Sequence, residues 1–176
     1  MSGRCQKSVT PPAVAPAGTS ITLDTGLVHY SNLTLLASFH HTPRSIRRAL
    51  QLVEDGVKVT ADLTGLTPGR HGFHIHEKGD CSSGDGMSTG GHFNPTAQAH
   101  GAHGVGSHHT GDLPSLKADA NGVAKLAFES TTISVESGAT NIIGKGLIVH
   151  RDPDDYKTQP TGNAGPRLAC AVIQKI

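Results

Sequence analysis

Apolar and polar residues alternate along this chain in short runs separated by turn residues. In Val57-Lys58-Val59-Thr60-Ala61-Asp62-Leu63 each odd position is apolar and each even one polar, the period of a half-buried strand whose odd positions face inward. Comparable runs predict strands near 32–37, 46–53, 57–63, 69–76, 114–118, 122–129, 146–150 and 168–174. Asp55-Gly56 and Asn121-Gly122 are hairpin signals of the primed turn type. The chain therefore reads as all-β. Between the strands lie two long intervals, Glu77 to Leu113 and Arg151 to Arg167, and loops of that length are where function concentrates.

At 176 residues and 18.2 kDa the chain is long enough for one domain with a substantial core. Residues 1–20 are expected to form a flexible leader, because Gln6 to Thr19 are rich in Pro, Ala, Thr and Val; residues 21–176 form the domain. A net charge of +1, 3% aromatic residues and no tryptophan argue against nucleic acid as a partner, since neither phosphate neutralisation nor base stacking is provided for. No apolar stretch approaches membrane-spanning length, and no basic start followed by an apolar segment is present.

The chemistry concentrates in histidine. The 12 histidines fall mostly between His71 and His150. In His71-Gly72-Phe73-His74-Ile75-His76-Glu77, side chains two apart share a face only on a strand, so His74 and His76 point together and Phe73 and Ile75 point the other way. Gly90-Gly91-His92-Phe93-Asn94-Pro95 holds His92 on a stiff corner. His100, His109 and Asp112 follow within the same loop, and three nitrogens with one carboxylate suit tetrahedral zinc. His150 ends the apolar run Gly146-Leu147-Ile148-Val149 and can converge on the His74/His76 pair, and an all-imidazole set suits copper(II).

On these segments, together with Lys78-Gly79-Asp80-Cys81, His109 to Pro114, His150 to Asp155 and Thr161 to Cys170, the chain resembles the copper/zinc superoxide dismutases of the bacterial, exported kind. The resemblance runs from about Gln51 to the C-terminus. It implies an eight-stranded Greek-key flattened barrel or sandwich with two long functional loops. It implies copper on His74, His76, His92 and His150, zinc on His92, His100, His109 and Asp112, and Asp154 accepting hydrogen bonds from the far nitrogens of His74 and His100. His92, shared by both metals, is the expected proton and coordination switch, and Arg167 the expected docking site for a small anion. Lys157 is a candidate steering charge. His29, His40, His41 and His103 match no ligand position; His71 is expected to bond backbone; His108 is set aside because only His109 has the His-x-Gly-Asp spacing.

The implied activity is dismutation of superoxide, in which copper(II) oxidises one superoxide to dioxygen and copper(I) reduces another to hydrogen peroxide. A copper/zinc storage or delivery module without turnover is the alternative. Cys81 and Cys170 occupy the positions of the family's disulfide, and a stable disulfide implies an oxidising compartment, so the protein is expected to be periplasmic or otherwise exported, with its signal peptide outside this sequence. Cys5, at the head of the leader, reads either as a lipidated membrane tether or as a free thiol, and a homodimer is open. Asn32-Leu33-Thr34 has the form of a glycosylation site and is expected to be unmodified. Three segments depart from the family pattern: Ser38 to Arg48, Pro166 before the arginine, and Ala171 after the cysteine.

Overall fold

The computed structural model describes residues 32–37, 46–53 and 56–174, the first two segments as backbone only. The leader, Cys5, His29, His40, His41, Asp55 and most of the atypical 38–48 segment lie outside the described residues. Among those described, nine strands form two antiparallel sheets. The larger sheet runs β1 (Asn32–Ala37), β2 (Ile46–Val53), β3 (Gly56–Leu63), β7 (Ala124–Ser130), β6 (Leu116–Ala118), β4 (Gly69–His71). The smaller contains β5 (Phe73–His76), β8 (Gly146–His150) and β9 (Arg167–Val172). This is the expected Greek-key sandwich, with all eight predicted strand segments present.

The predicted 69–76 strand is divided at Gly72, and its halves join different sheets. Gly72 N–H bonds the Asp152 carbonyl and its own carbonyl accepts His150 N–H, while a Cβ at this position would lie 2.7 Å from Ala164 Cβ. The chain can cross between layers there only without a side chain.

The alternation in β3 holds: Val57, Val59, Ala61 and Leu63 are buried. They pack in one core with Phe73 and Ile75 of β5, Leu116 of β6, Leu147 and Val149 of β8, and Ala169 and Ala171 of β9. In β5 and β8, however, every residue is buried. One face of the small sheet meets this core, and the other, carrying His74, His76, Ile148 and His150, is covered by the two long loops. A half-exposed strand alternates, and a strand covered on both faces does not.

The turn at Asn121-Gly122 differs from the primed two-residue form. Gly122 has φ +74° while Asn121 stays at negative φ, and the Asp119 carboxylate accepts the N–H groups of Asn121 and Val123. An aspartate capping its own loop lengthens the connection beyond two residues.

Candidate metal centre

The first long loop is tied to the edge of β5 by backbone bonds. Ile75 N–H bonds Gly111 O at 2.8 Å, Phe93 N–H bonds Ile75 O at 2.8 Å, and Gly111 N–H bonds Phe93 O at 2.8 Å. Glu77 N–H bonds Gly91 O at 3.0 Å. These bonds set His92 opposite His76 and Asp112 opposite His74. The Cys81–Cys170 disulfide, Cα to Cα 5.8 Å, fastens the loop to β9 across 89 residues of sequence. On chain entropy alone such a crosslink contributes about 4.6 kcal/mol.

Two buried groups result, each with ligand atoms all within 4.8 Å of one another: His74, His76, His92 and His150, and His92, His100, His109 and Asp112. These are the residues singled out by motif and spacing, and His92 belongs to both. The other described histidines stand apart. The two ring nitrogens of His71 lie 2.9 Å and 2.8 Å from the carbonyls of His150 and Thr67, while His103 donates to the carbonyl of Asp112 and His108 to that of His109.

Hydrogen bonds decide which nitrogen of each ring is free. His74 Nε2 donates to Asp154 Oδ2 at 2.6 Å, and His100 Nε2 to Asp154 Oδ1 at 2.9 Å. His76 Nδ1 donates to Gly90 O at 2.9 Å and His150 Nδ1 to Gly165 O at 2.9 Å. What remains, among the described residues, is a set of buried nitrogens without a hydrogen-bond partner: His74 Nδ1, His76 Nε2, His92 Nε2, His100 Nδ1 and His150 Nε2. His100 Nδ1 lies 3.0 Å from Asp112 Oδ2 but is misaligned for a bond to it. Buried polar atoms are rarely left unpaired in a native fold; four of these nitrogens converge within the His74, His76, His92 and His150 group, and the fifth, His100 Nδ1, lies in the second group beside the Asp112 carboxylate, an arrangement that fits a cation at each.

Two of these orienting acceptors escape sequence reading. Gly90 and Gly165 adopt positive φ, +73° and +72°, which turns their carbonyls toward the imidazoles; the glycines signal turns, not acceptors. Gln159 is a third omission: its Oε1 accepts His100 N–H at 2.8 Å and its Nε2 donates to His100 O at 3.0 Å, clamping that residue from the second loop.

Arg167 reaches the loop because β9 carries a bulge. Val149 pairs with Ala169 and His150 with Arg167, so Leu168 is the extra residue. Strict alternation would put Arg167 on the face of Ala169, toward the core; the extra residue returns it to the face of His150. Its Nη1 donates to Gly86 O at 2.7 Å and Thr89 Oγ1 at 2.9 Å, its Nη2 to Gly90 O at 2.7 Å. Lys157 is exposed.

Burial, aided by neighbouring rings, pushes His74 down to about 3, His76 to about 2 and His150 to about 4, and also lowers His92. All four are neutral donors at neutral pH. Burial also opposes charge on His100, but the Asp112 and Asp154 carboxylates outweigh it and push the ring up to about 9. Burial would raise Asp112 and Asp154; hydrogen bonds from the surrounding imidazoles hold both well below the carboxylate range.

A pH optimum for the metal-free protein follows. Between pH 6.5 and about 4 the unfolded chain protonates His74, His76 and His150 while the fold resists, so the unfolded state binds more protons and stability falls as pH falls. His100 acts oppositely: its contribution is complete below 6.5 and lost as pH rises toward about 9. Urea midpoints of the metal-free protein should peak near pH 6.5 and decline on both sides; a midpoint climbing steadily to pH 9 would contradict this balance.

A family model described as copper/zinc superoxide dismutase (SODC) matches residues 48–173. Among curated proteins, the chain is 41% identical over 138 residues to superoxide dismutase Cu-Zn 3 of Arabidopsis thaliana, covering 73% of this chain and 83% of that protein. It is 42% identical over 138 residues to superoxide dismutase Cu-Zn 2 of Mesembryanthemum crystallinum, covering 73% and 87%. Among solved structures, the clock protein EA4 superposes with a TM-score of 0.73 at 38% identity, over 88% of this chain and all of that one. A double mutant of a SOD-like protein from Bacillus subtilis gives 0.71 at 34% identity, over 80% and 95%.

Proposed function

The chain belongs to the copper/zinc superoxide dismutase family, and on that premise we propose how its residues divide the work of dismuting superoxide to dioxygen and hydrogen peroxide. It is an oxidoreductase whose cofactors are copper and zinc. His74, His76, His92 and His150 are assigned to copper, and His92, His100, His109 and Asp112 to zinc. The observation that carries this assignment is the convergence of two buried ligand groups, the first of them holding four unpartnered imidazole nitrogens and the second an unpartnered His100 Nδ1 beside the Asp112 carboxylate. Leaving them dry costs free energy that a bound cation recovers. When bound, copper supplies a one-electron couple that accepts an electron from one superoxide and returns it to another, while zinc supplies fixed positive charge without redox.

The remaining roles belong to the chain. Arg167 carries five N–H groups. Three of its hydrogens are held by Gly86, Thr89 and Gly90, so Nε–H and one Nη2–H lack a partner among the described residues and receive the anion. Burial lowers the guanidinium pKa and the Asp85 charge opposes that; an arginine keeps its charge throughout the working range. His92 Nε2 is the atom that holds a proton in one half of the cycle and surrenders it in the other. Asp154 keeps His74 and His100 in the required tautomers. Residues 21–176 are taken as the catalytic domain behind a leader at 1–20. Export to an oxidising compartment such as the periplasm rests on the Cys81–Cys170 disulfide.

The test is dismutation by protein loaded with copper and zinc, metals counted per chain, against His150→Ala. Rapid turnover in the parent and loss of at least about 100-fold in the variant are expected, comparable to removal of essential catalytic machinery. One copper and one zinc bound without turnover would instead indicate a storage or delivery module, and no copper bound would sink the ligand assignment.

A further inference from the structure

Arg167 is held by three acceptors, of which two are backbone carbonyls and one is a side chain. Thr89 is fully buried, with an exposure of 0%, in a short 3-10 turn, Met87–Thr89, flanked by glycines at φ +75° and +73°. Its hydroxyl donates its single hydrogen to Gly86 O at 2.7 Å. Toward Arg167 Nη1, 2.9 Å away, it can only accept. Gly86 O also receives Nη1 at 2.7 Å and Thr89 N–H at 3.1 Å, so hydroxyl, carbonyl and guanidinium close a small ring of bonds. The same hydroxyl lies 3.3 Å from His76 Nδ1, whose bond goes to Gly90 O, the acceptor of Arg167 Nη2. A Cβ at Gly146 would come within 2.9 Å of Thr89 Cγ2, which places the threonine methyl against the start of β8 and braces the rotamer.

We propose that Thr89 is a positioning residue for anion docking: its hydroxyl locks Nη1 and thereby aims the two unoccupied N–H groups of Arg167. The physical need is clear from the surroundings. Both carbonyl acceptors belong to glycines, the residues whose backbone is least restrained, and the hydroxyl cross-links one of them to the guanidinium. The proposal rests on the reading that Arg167 docks the anion.

Azide, a small anion read by its absorption band on the copper- and zinc-loaded protein, is the probe. Thr89→Val keeps the shape and removes the hydroxyl, and should weaken azide binding about five- to tenfold, the worth of one ordinary hydrogen bond, since the hydroxyl acts on the anion only through Arg167. Thr89→Ser keeps the hydroxyl and should remain within about twofold of the parent. Arg167→Ala is the control that separates the two ideas. If it leaves azide affinity unchanged, the docking role of Arg167 fails, and Thr89's with it. If it weakens azide while Thr89→Val does not, only the role of Thr89 is overturned. Should Thr89→Val lose copper, nitrogen-15 NMR of the zinc-loaded parent decides: separate Nη1 hydrogens in slow rotation are expected, and one averaged signal overturns the proposal.

Discussion

Replacing His92 by alanine is expected to lower dismutation by about 100-fold or more while leaving each metal with three of its proposed ligands, since proton transfer by a positioned imidazole is commonly worth that much. His92 is the one residue in both groups: Nε2 is unpartnered and Nδ1 lies 2.9 Å from Asp112 Oδ1 and 3.4 Å from His109 Nδ1. Its ring is also 4.0 Å, centroid to centroid, from that of His74. Removing it leaves His74, His76 and His150 on one side and His100, His109 and Asp112 on the other, enough for binding on both. What disappears is the shared ring. Withdrawing zinc should therefore change the copper absorption and EPR spectra in the parent and leave them unchanged in His92→Ala. Activity within a few-fold of the parent, with both metals bound, would show that the shared imidazole is dispensable.

Gly111→Ala should be the most damaging single-methyl change in the loop. The added Cβ would run into the Ile75 carbonyl oxygen and lie 3.0 Å from Phe93 N and 3.1 Å from Phe93 O. Those are backbone atoms, which cannot turn aside as a flexible side chain would. They are also the atoms whose bonds hold the loop against β5. A loss of about 3 kcal/mol or more is expected, combining overpacking with weakened backbone bonds. Because the clash lies in the backbone frame, the loss should be present in the metal-free protein. Zinc affinity should drop as well, by roughly 10- to 100-fold, since Gly111 sits between His109 and Asp112. Urea unfolding of the metal-free variant and a zinc titration measure the two effects. An unchanged urea midpoint would show that the loop is not anchored through this glycine.

The two changes differ in how readable they were. His92 announces itself: a histidine between a Gly-Gly pair and an Asn-Pro turn, at a fixed distance from two other histidines and an aspartate. Gly111 reads only as part of the spacing between His109 and Asp112. Its need to be glycine comes from the backbone of residues 75 and 93, far away in the chain. The same contrast separates Arg167 from Thr89. The arginine stands out beside the Gly-rich turn, yet its direction depends on a bulge opposite Val149 and His150 that no periodicity marks. Thr89 lies in the polar stretch Met87-Ser88-Thr89-Gly90 and looks like any loop residue until the fold buries it.

The strand period, the long loops, the histidines that gather and the chemistry they suit are legible along the chain, because alternation, turn residues and ligand spacing are local properties of side-chain identity. Which ring nitrogen of each histidine stays free, where Arg167 points, and why β5 and β8 lose their alternation emerge only from packing between distant segments. Those outcomes depend on the carbonyls of Gly90 and Gly165, on one carboxylate reaching two rings, and on loops folding over a sheet face. Every residue carries the same carbonyl, so nothing in the order of side chains distinguishes the few that the fold turns toward an imidazole.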